Sequence, residues 1–231
     1  MRFVIFVLVQ IICITFCAAA PVSIAASRMV QSDYETFSPS LVSAPGQKMK
    51  PLIVLDAGHG GSDDGTRART FLEKKITLIT VLLTKKQLEE MGYRVILTRS
   101  RDTFVSLPRR VAIANKVKGS IFVSVHFNAS QSSDAHGIEI FYNNSKEIWR
   151  TRASKRLANC ILYRMIDQTA AASRGVKEGN FHVIRETQMP AILVEGGFVT
   201  NRKECALLKD REYLKQLAVG IAEGIDKYMR S

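Results

Sequence analysis

A chain of 231 residues that is 46% hydrophobic and 23% charged, with 14 glycines and 6 prolines, has room for one ordinary domain with a sizeable core, and collagen-like, low-complexity and wholly disordered classes are excluded. Four cysteines in this length do not make a disulfide framework, and without a CxxC pair there is no thiolate zinc module. The formal net charge of +12 raises nucleic-acid binding as a class, and the first residues argue against it. Met1 and Arg2 lead into an apolar run from Phe3 to Ala20, broken by Gln10, Thr15, Cys13 and Cys17, then into small residues as far as Ser27. This is the grammar of an export signal. The expectation is a signal peptide over 1–27, cut after Ala20 or near Ser27, with a retained anchor or a lipid on Cys17 as alternatives. Each of these puts the rest of the chain outside the cytoplasm, in a periplasmic or extracellular space, away from nucleic acid.

Residues 28–50, with Ser38, Pro39, Ser40, Ser43, Pro45 and Gly46 and little periodicity, read as a linker. From Pro51 to Ser231 short apolar runs alternate with helical stripes, the pattern of an α/β layer architecture. The first strand is expected over Leu52–Asp56, followed by the small-residue turn Ala57-Gly58-His59-Gly60-Gly61. A helix from near Glu73 places Leu72, Ile76, Ile79 and Leu83 on one face and stops at Gly92. Tyr93–Thr98 reads as a strand. Ser106 and Pro108 open a helix with a stripe of Leu107, Val111 and Ala114. Ser120–Val125 is a strand running into His126, and Gly137–Tyr142 is another. Trp149, Ala153, Leu157, Cys160 and Ile161 mark a helix. Phe181–Arg185 and Ala191–Val194 read as two more strands, and Leu214, Leu217, Ile221, Ile225 and Tyr228 make a closing amphipathic helix.

His59, His126 and Glu195 each lie at or just past the carboxyl end of an apolar run, the rim of an open α/β sheet where ligands bind. If those strands are parallel neighbours, the three side chains converge. Two imidazoles and a carboxylate suit zinc, which takes nitrogen and oxygen ligands and keeps one position open for water in catalytic sites. Glu73, opening the next helix, is within reach of the same rim. Each residue also has an ordinary role: a glycine-flanked turn for His59, core packing for His126, a helix macrodipole for Glu73. Spacing alone leaves the metal reading open. His136 and His182 are expected in surface or packing roles.

The segments Leu55-Asp56-Ala57-Gly58-His59-Gly60-Gly61, Glu73-Lys74, Leu97-Thr98-Arg99, Ser124-Val125-His126-Phe127-Asn128-Ala129, Phe181-His182-Val183-Ile184-Arg185-Glu186-Thr187 and Leu193-Val194-Glu195-Gly196-Gly197-Phe198 resemble, in order, the zinc-dependent N-acetylmuramoyl-L-alanine amidases of the type 3 catalytic domain. The likeness spans roughly residues 51 to 228, within a catalytic domain drawn at 51–231. It implies an α/β fold with a mixed, mostly parallel six-stranded sheet flanked by helices on both faces. It also implies one zinc ion on His59, Glu73 and His126, a catalytic Glu195, and hydrolysis of the amide between N-acetylmuramic acid and L-alanine in peptidoglycan or a lipid-linked muropeptide. Asn128 and Glu139 match family positions and are expected to orient ligands or touch substrate. Arg185 is expected either to meet a stem-peptide carboxylate or to be a surface arginine.

Phe127, where a small residue is common, and Gly196, where a larger one is, depart from the pattern. So does the loop with Asp64, Arg67 and Arg69. The stretch between Tyr142 and Phe181 has room for one helix and a short loop, without the site-plugging helix that some relatives insert, so no obligatory activator is expected. The basic groups Arg99, Arg101, Arg109, Arg110 and Lys146, Arg150, Arg152, Lys155, Arg156 read as solvated faces attracted to wall polymer or anionic lipid, consistent with membrane proximity. Cys160 and Cys205 are expected to pack in helices. Two other classes stay open: a zinc D-alanyl-D-alanine carboxypeptidase activity, and a wall-binding protein without catalysis.

Overall fold

Runs of Val, Ile, Leu and Phe without alternation form strands buried on both faces, and three such runs make the centre of this sheet. They are β1 (Leu52–Ala57), β5 (Ile121–Asn128) and β8 (Ala191–Phe198). The computed structural model describes residues 50–68 and 71–231. The leader expected over 1–27, the linker over 28–50 except Lys50, and Arg69 lie outside the described residues. Two short strands, β2 (Arg67–Ala68) and β3 (Phe71–Leu72), pair with each other; β4 (Arg94–Leu97), β6 (Ile138–Tyr142) and β7 (Ser173–Glu178) complete a six-stranded sheet of order β4-β1-β5-β8-β6-β7. Its pairings are parallel except for β8 with β6, which is antiparallel.

Helices cover both faces. Ile53, Leu55, Val123, Val125, Ile192 and Val194 pack beneath α1 (Glu73–Glu90), α3 (Ile148–Thr169) and α6 (Arg211–Met229). Val54, Phe122, Ala191 and Leu193 face α2 (Leu107–Val117) and α4 (His182–Glu186). Because side chains alternate along a strand, this second face also carries Asp56, Ser124, His126 and Glu195 towards the carboxyl ends of the central strands. A final short helix, α5 (Arg202–Leu207), is capped by Asn201, whose side chain accepts from Lys203 and Glu204 N–H.

The segment expected as a strand at Phe181–Arg185 is helix α4, and the sixth strand is β7, in a stretch expected to be loop. Two β-branched residues make His-Val-Ile-Arg strand-like by composition. They are buried as one helical turn instead, and Arg150 fixes that turn by donating to Met189 O (3.1 Å), Arg185 O (3.2 Å) and Ile184 O. β7 is a polar edge strand with no apolar run to announce it. His182 accordingly opens a helix rather than lying within a strand.

Three stripes also shift. Ile79 is 39% exposed, and the buried face of α1 runs through Thr77, Thr80 and Thr84, whose methyls pack while Thr77 Oγ1 donates to Gly58 O (2.9 Å) and Thr84 Oγ1 to Thr80 O (2.9 Å). Leu107 is 52% exposed and Trp149 57%. Ser106 occupies the first cap of α2 without a side-chain cap bond. Gly92 follows α1 with φ +86°, as a helix stop requires. Cys160 and Cys205 are unpaired thiols packed against the core.

Candidate metal centre

β1 delivers the chain to a tight turn in which Gly60 N donates to Asp63 O (2.8 Å) and Asp63 N to Gly60 O (3.2 Å). His59 opens that turn at φ +60°, a left-handed conformation uncommon for a residue with a Cβ. Its carbonyl neighbours are held by two buried arginines. Arg110 donates to Ala57 O (2.6 Å) and His59 O (2.7 Å), and Arg99 to Ala57 O (2.9 Å) and Gly58 O (2.7 Å). Both are 3% exposed, so this pair is not part of a solvated basic face; carbonyls at the strand end take the guanidinium bonds that water would otherwise make. Arg150, 7% exposed, departs from its expected surface in the same way. Lys74 completes the turn by donating to Gly61 O (2.7 Å) while pairing with Asp64 (2.9 Å) and Asp102 (3.1 Å).

Glu73, the first residue of α1, is buried at 3% exposure and stands between the two histidines. One of its oxygens, Oε1, lies 3.0 Å from His59 Nε2 and 3.0 Å from His126 Nδ1, and accepts from Phe127 N–H at 3.1 Å. The other accepts from Thr66 N–H at 2.9 Å. The imidazole rings meet edge to face at 4.8 Å. Gly58 makes this possible, because a Cβ there would sit 2.2 Å from the His126 ring.

One ligand atom from each of His59, Glu73 and His126 falls within 4.8 Å of the others, so the three side chains can close on one ion. Burial opposes the Glu73 charge, yet His126 and His59 outweigh burial and hold the carboxyl far below the usual range, so it is a carboxylate throughout the neutral region. For His59, burial likewise opposes charge and is overcome by Glu73 and Asp63, which raise its imidazole. Two nitrogens and one carboxylate oxygen are a donor set that zinc accepts. Asp63 adds what metal-bound histidines characteristically have, a carboxylate oxygen 2.9 Å from the other ring nitrogen of His59. Sequence reasoning missed Asp63; the signal available was an acidic residue four positions after a glycine-flanked histidine.

Glu195 pairs in register with His126 on one side and Glu139 on the other. Its Oε2 is buried without a hydrogen-bond partner. Burial first, then the negative charges of Glu73 and Glu139, push its carboxyl well above the usual range. An uncompensated buried carboxyl beside a cluster of metal-ligand type is what a cation in that cluster would relieve. Glu139 itself is tied to Arg174 (2.9 Å) and Lys177 (2.5 Å) and accepts from Asn128 Nδ2 (2.6 Å), so Asn128 and Glu139 flank Glu195 as a braced pair. Arg185 does not join them: on α4, its guanidinium is bound to Glu186 (2.7 Å) and Asn180 Oδ1 (2.7 Å). His136 binds the backbone of Asp134, also away from the cluster.

A cavity of about 230 Å³ opens over His59 and His126, with Phe104, Leu107, Pro108 and Val183 among its apolar walls. Leu107, 52% exposed, is one of these walls.

Residues 53–227 match the family model described as N-acetylmuramoyl-L-alanine amidase. The chain is 35% identical over 178 residues to the N-acetylmuramoyl-L-alanine amidase LytC of Bacillus subtilis, covering 77% of this chain and 35% of LytC. Among solved structures it is similar to the catalytic domain of CwlV, an N-acetylmuramoyl-L-alanine amidase from Bacillus (Paenibacillus) polymyxa var. colistinus, at 41% identity and a TM-score of 0.73, covering 78% of this chain and 98% of that one. It is also similar to the CwlD amidase of Clostridioides difficile, solved in complex with the GerS lipoprotein, at 32% identity and a TM-score of 0.74, covering 78% of this chain and 99% of that one.

Proposed function

The chain belongs to the N-acetylmuramoyl-L-alanine amidase family and is a peptidoglycan amidase, and we propose that it works with one zinc ion on His59, Glu73 and His126 and with Glu195 as proton carrier. The bond it hydrolyses joins the lactyl carbonyl of N-acetylmuramic acid to the nitrogen of L-alanine. When bound, zinc supplies Lewis acidity, lowering the pKa of water towards ~7 and polarising a carbonyl. Glu195 takes a proton from the attacking water as the new C–O bond forms, and returns it to the L-alanine nitrogen as the C–N bond breaks. The products are a muramoyl carboxylate and a stem peptide with a free amino terminus. Glu73 holds its negative charge throughout, and Asp63 keeps the ring of His59 oriented. The observation that carries the role of Glu195 is its buried, unpartnered oxygen beside His126.

Glu195→Gln is expected to retain the metal and lose at least about two orders of magnitude in turnover, the scale of a general base. Metal content by elemental analysis and stem-peptide release by mass spectrometry check this; full release by the variant contradicts the role. Loss of terminal D-alanine by the wild type, with no free stem peptide, would instead establish the carboxypeptidase reading.

Action on the wall lies outside the cytoplasm, and we assign the apolar leader the task of export. Among the described residues no helix is long and apolar enough to cross a membrane. The His59 and His126 side chains keep 22% and 19% exposure, which supports a site open to substrate without an activator. The purified chain is then expected to release stem peptide unaided. Release only after addition of a second protein contradicts this, and the lipoprotein complex of CwlD makes that control necessary.

A further inference from the structure

The strand that flanks Glu195 leads away from it to a second and larger opening. On β6, Glu139 stands opposite Glu195 and Tyr142 opposite Ile192, so the chain leaves the sheet at Asn143 about 13 Å from the metal end. There a groove of about 880 Å³ opens between the start of α3 and the end of α4. Helix α4 is the ridge between the two openings: Val183 lines the one over the histidines and Arg185 lines the other. The groove thus lies towards the amino-terminal end of β8, and Glu195 towards its carboxyl end.

The groove has a particular chemistry. Trp149 stands in it 57% exposed, at the head of a helix whose later apolar residues Leu157, Ala158 and Ile161 are buried. An indole left in water beside a cleft is a flat apolar face in search of a partner. Around it lie the amides of Asn143, Asn144, Asn180 and Gln188, groups that both donate and accept hydrogen bonds; Asn143 Nδ2 already donates to Gly179 O (3.1 Å) and Asn180 Oδ1 accepts from Arg185 (2.7 Å), so Asn143 Oδ1, Asn180 Nδ2 and the Gln188 amide face a ligand. The charges are largely spent within the protein. Arg150 gives its donors to three backbone carbonyls, and Arg185 is bound to Glu186 and Asn180. Of the cations, Lys146 remains, beside Glu147 on the same rim. A flat apolar face with neutral amides and little free charge fits a sugar ring, which has C–H faces and a hydroxyl and acetamido edge. It does not fit an anionic peptide.

We propose that this groove is a saccharide subsite which holds the glycan strand of peptidoglycan beyond the muramoyl unit being cut, with a sugar ring stacked on Trp149. The inference rests on the amidase reading for its physiological meaning. It gives the enzyme a preference for polymer over short muramoyl peptides, and it makes α4 the step over which the glycan runs.

Trp149 is the single tryptophan of the chain, so intrinsic fluorescence reports this groove directly, whether or not any bond is cut. The whole chain is titrated with a peptide-free tetramer of β-1,4-linked N-acetylglucosamine and, separately, with the sugar-free stem peptide. A saturable emission shift with the tetramer and none with the peptide is expected. No response to the tetramer, or a response to the peptide instead, overturns the proposal. In kinetics, Trp149→Ala is expected to raise KM for polymeric peptidoglycan about tenfold, the effect of losing one anchoring aromatic, while kcat/KM for N-acetylmuramoyl-L-alanyl-D-isoglutamine is unchanged. Equal losses on both substrates overturn the subsite. A wild-type chain that binds the tetramer yet releases no stem peptide leaves the subsite standing and refutes the amidase mechanism instead.

Discussion

His59 stands at φ +60°, and its own carbonyl accepts from Arg110. A left-handed residue with a Cβ costs roughly 1–2 kcal/mol, and the carbonyl bonds from Arg110 and Arg99 fix the backbone on either side of it. Asp63 then sets the ring. Asp63→Asn is expected to fold normally and to weaken metal binding roughly 10- to 100-fold, read by competition with a chromophoric chelator; an unchanged affinity would show that the Asp63 contact does not tune the site. The convergence of His59, His126 and Glu195 was legible from their places at or just past the ends of apolar runs, because strand ends in a parallel sheet converge, and Glu73 from its place at the start of the next helix. Asp63 was not, since nothing in an Asp-Asp-Gly loop distinguishes a histidine's partner from a turn former. Phe127 and Gly196, two departures from the family pattern in sequence, are a single feature in space: a Cβ on residue 196 would lie 2.7 Å from the Phe127 ring, so the large residue fills the room that glycine leaves.

At the scale of elements, β1 and α2 are joined by a buried ion pair. Asp56 and Arg110 are 1% and 3% exposed and meet at 2.7 Å, and Ser124 (2.6 Å) and Thr98 (2.5 Å) donate to the same carboxylate. Burial pushes the Asp56 carboxyl up, but Arg110 and the two hydroxyls outweigh it and leave it below the usual range. A group depressed on folding stabilises the fold above its unfolded value of ~3.9 and loses that contribution as pH falls through the lower folded value. Denaturant melts are therefore expected to be flat in this contribution from neutral pH to about pH 5 and to weaken in acid below ~4. Arg110→Ala, which strands a buried carboxylate, is expected to cost about 3–5 kcal/mol at neutral pH; a variant as stable as the wild type contradicts the pairing. Sequence gave no access to this. Arginines near a helix start look like surface charge until the carbonyls they bind are placed beside them. The exchange of a strand for α4 has a related cause: whether His-Val-Ile-Arg extends or coils depends on Arg150, more than thirty residues earlier in the chain.

At the scale of the molecule, the alternation of apolar runs and stripes carried the layer architecture, and the expectation that the strands ending in His59, His126 and Glu195 are parallel neighbours holds in the order β1-β5-β8. Long-range convergence was readable because each run is buried on both faces and so must be central. The polar edge strand β7 and the groove at Trp149 were not readable, since neither has a hydrophobic period and both depend on which loops meet. We propose above all that His59, Glu73 and His126 hold an ion which, with Glu195, opens the muramoyl–L-alanine amide. The most direct measurement is digestion of purified muropeptides by the whole chain, with and without chelator and after zinc is returned, followed by mass spectrometry of the products. Release of intact stem peptide with a free L-alanine amino terminus, abolished by chelation and restored by zinc, is the expected result. The same products at the same rate in the presence of chelator would contradict it.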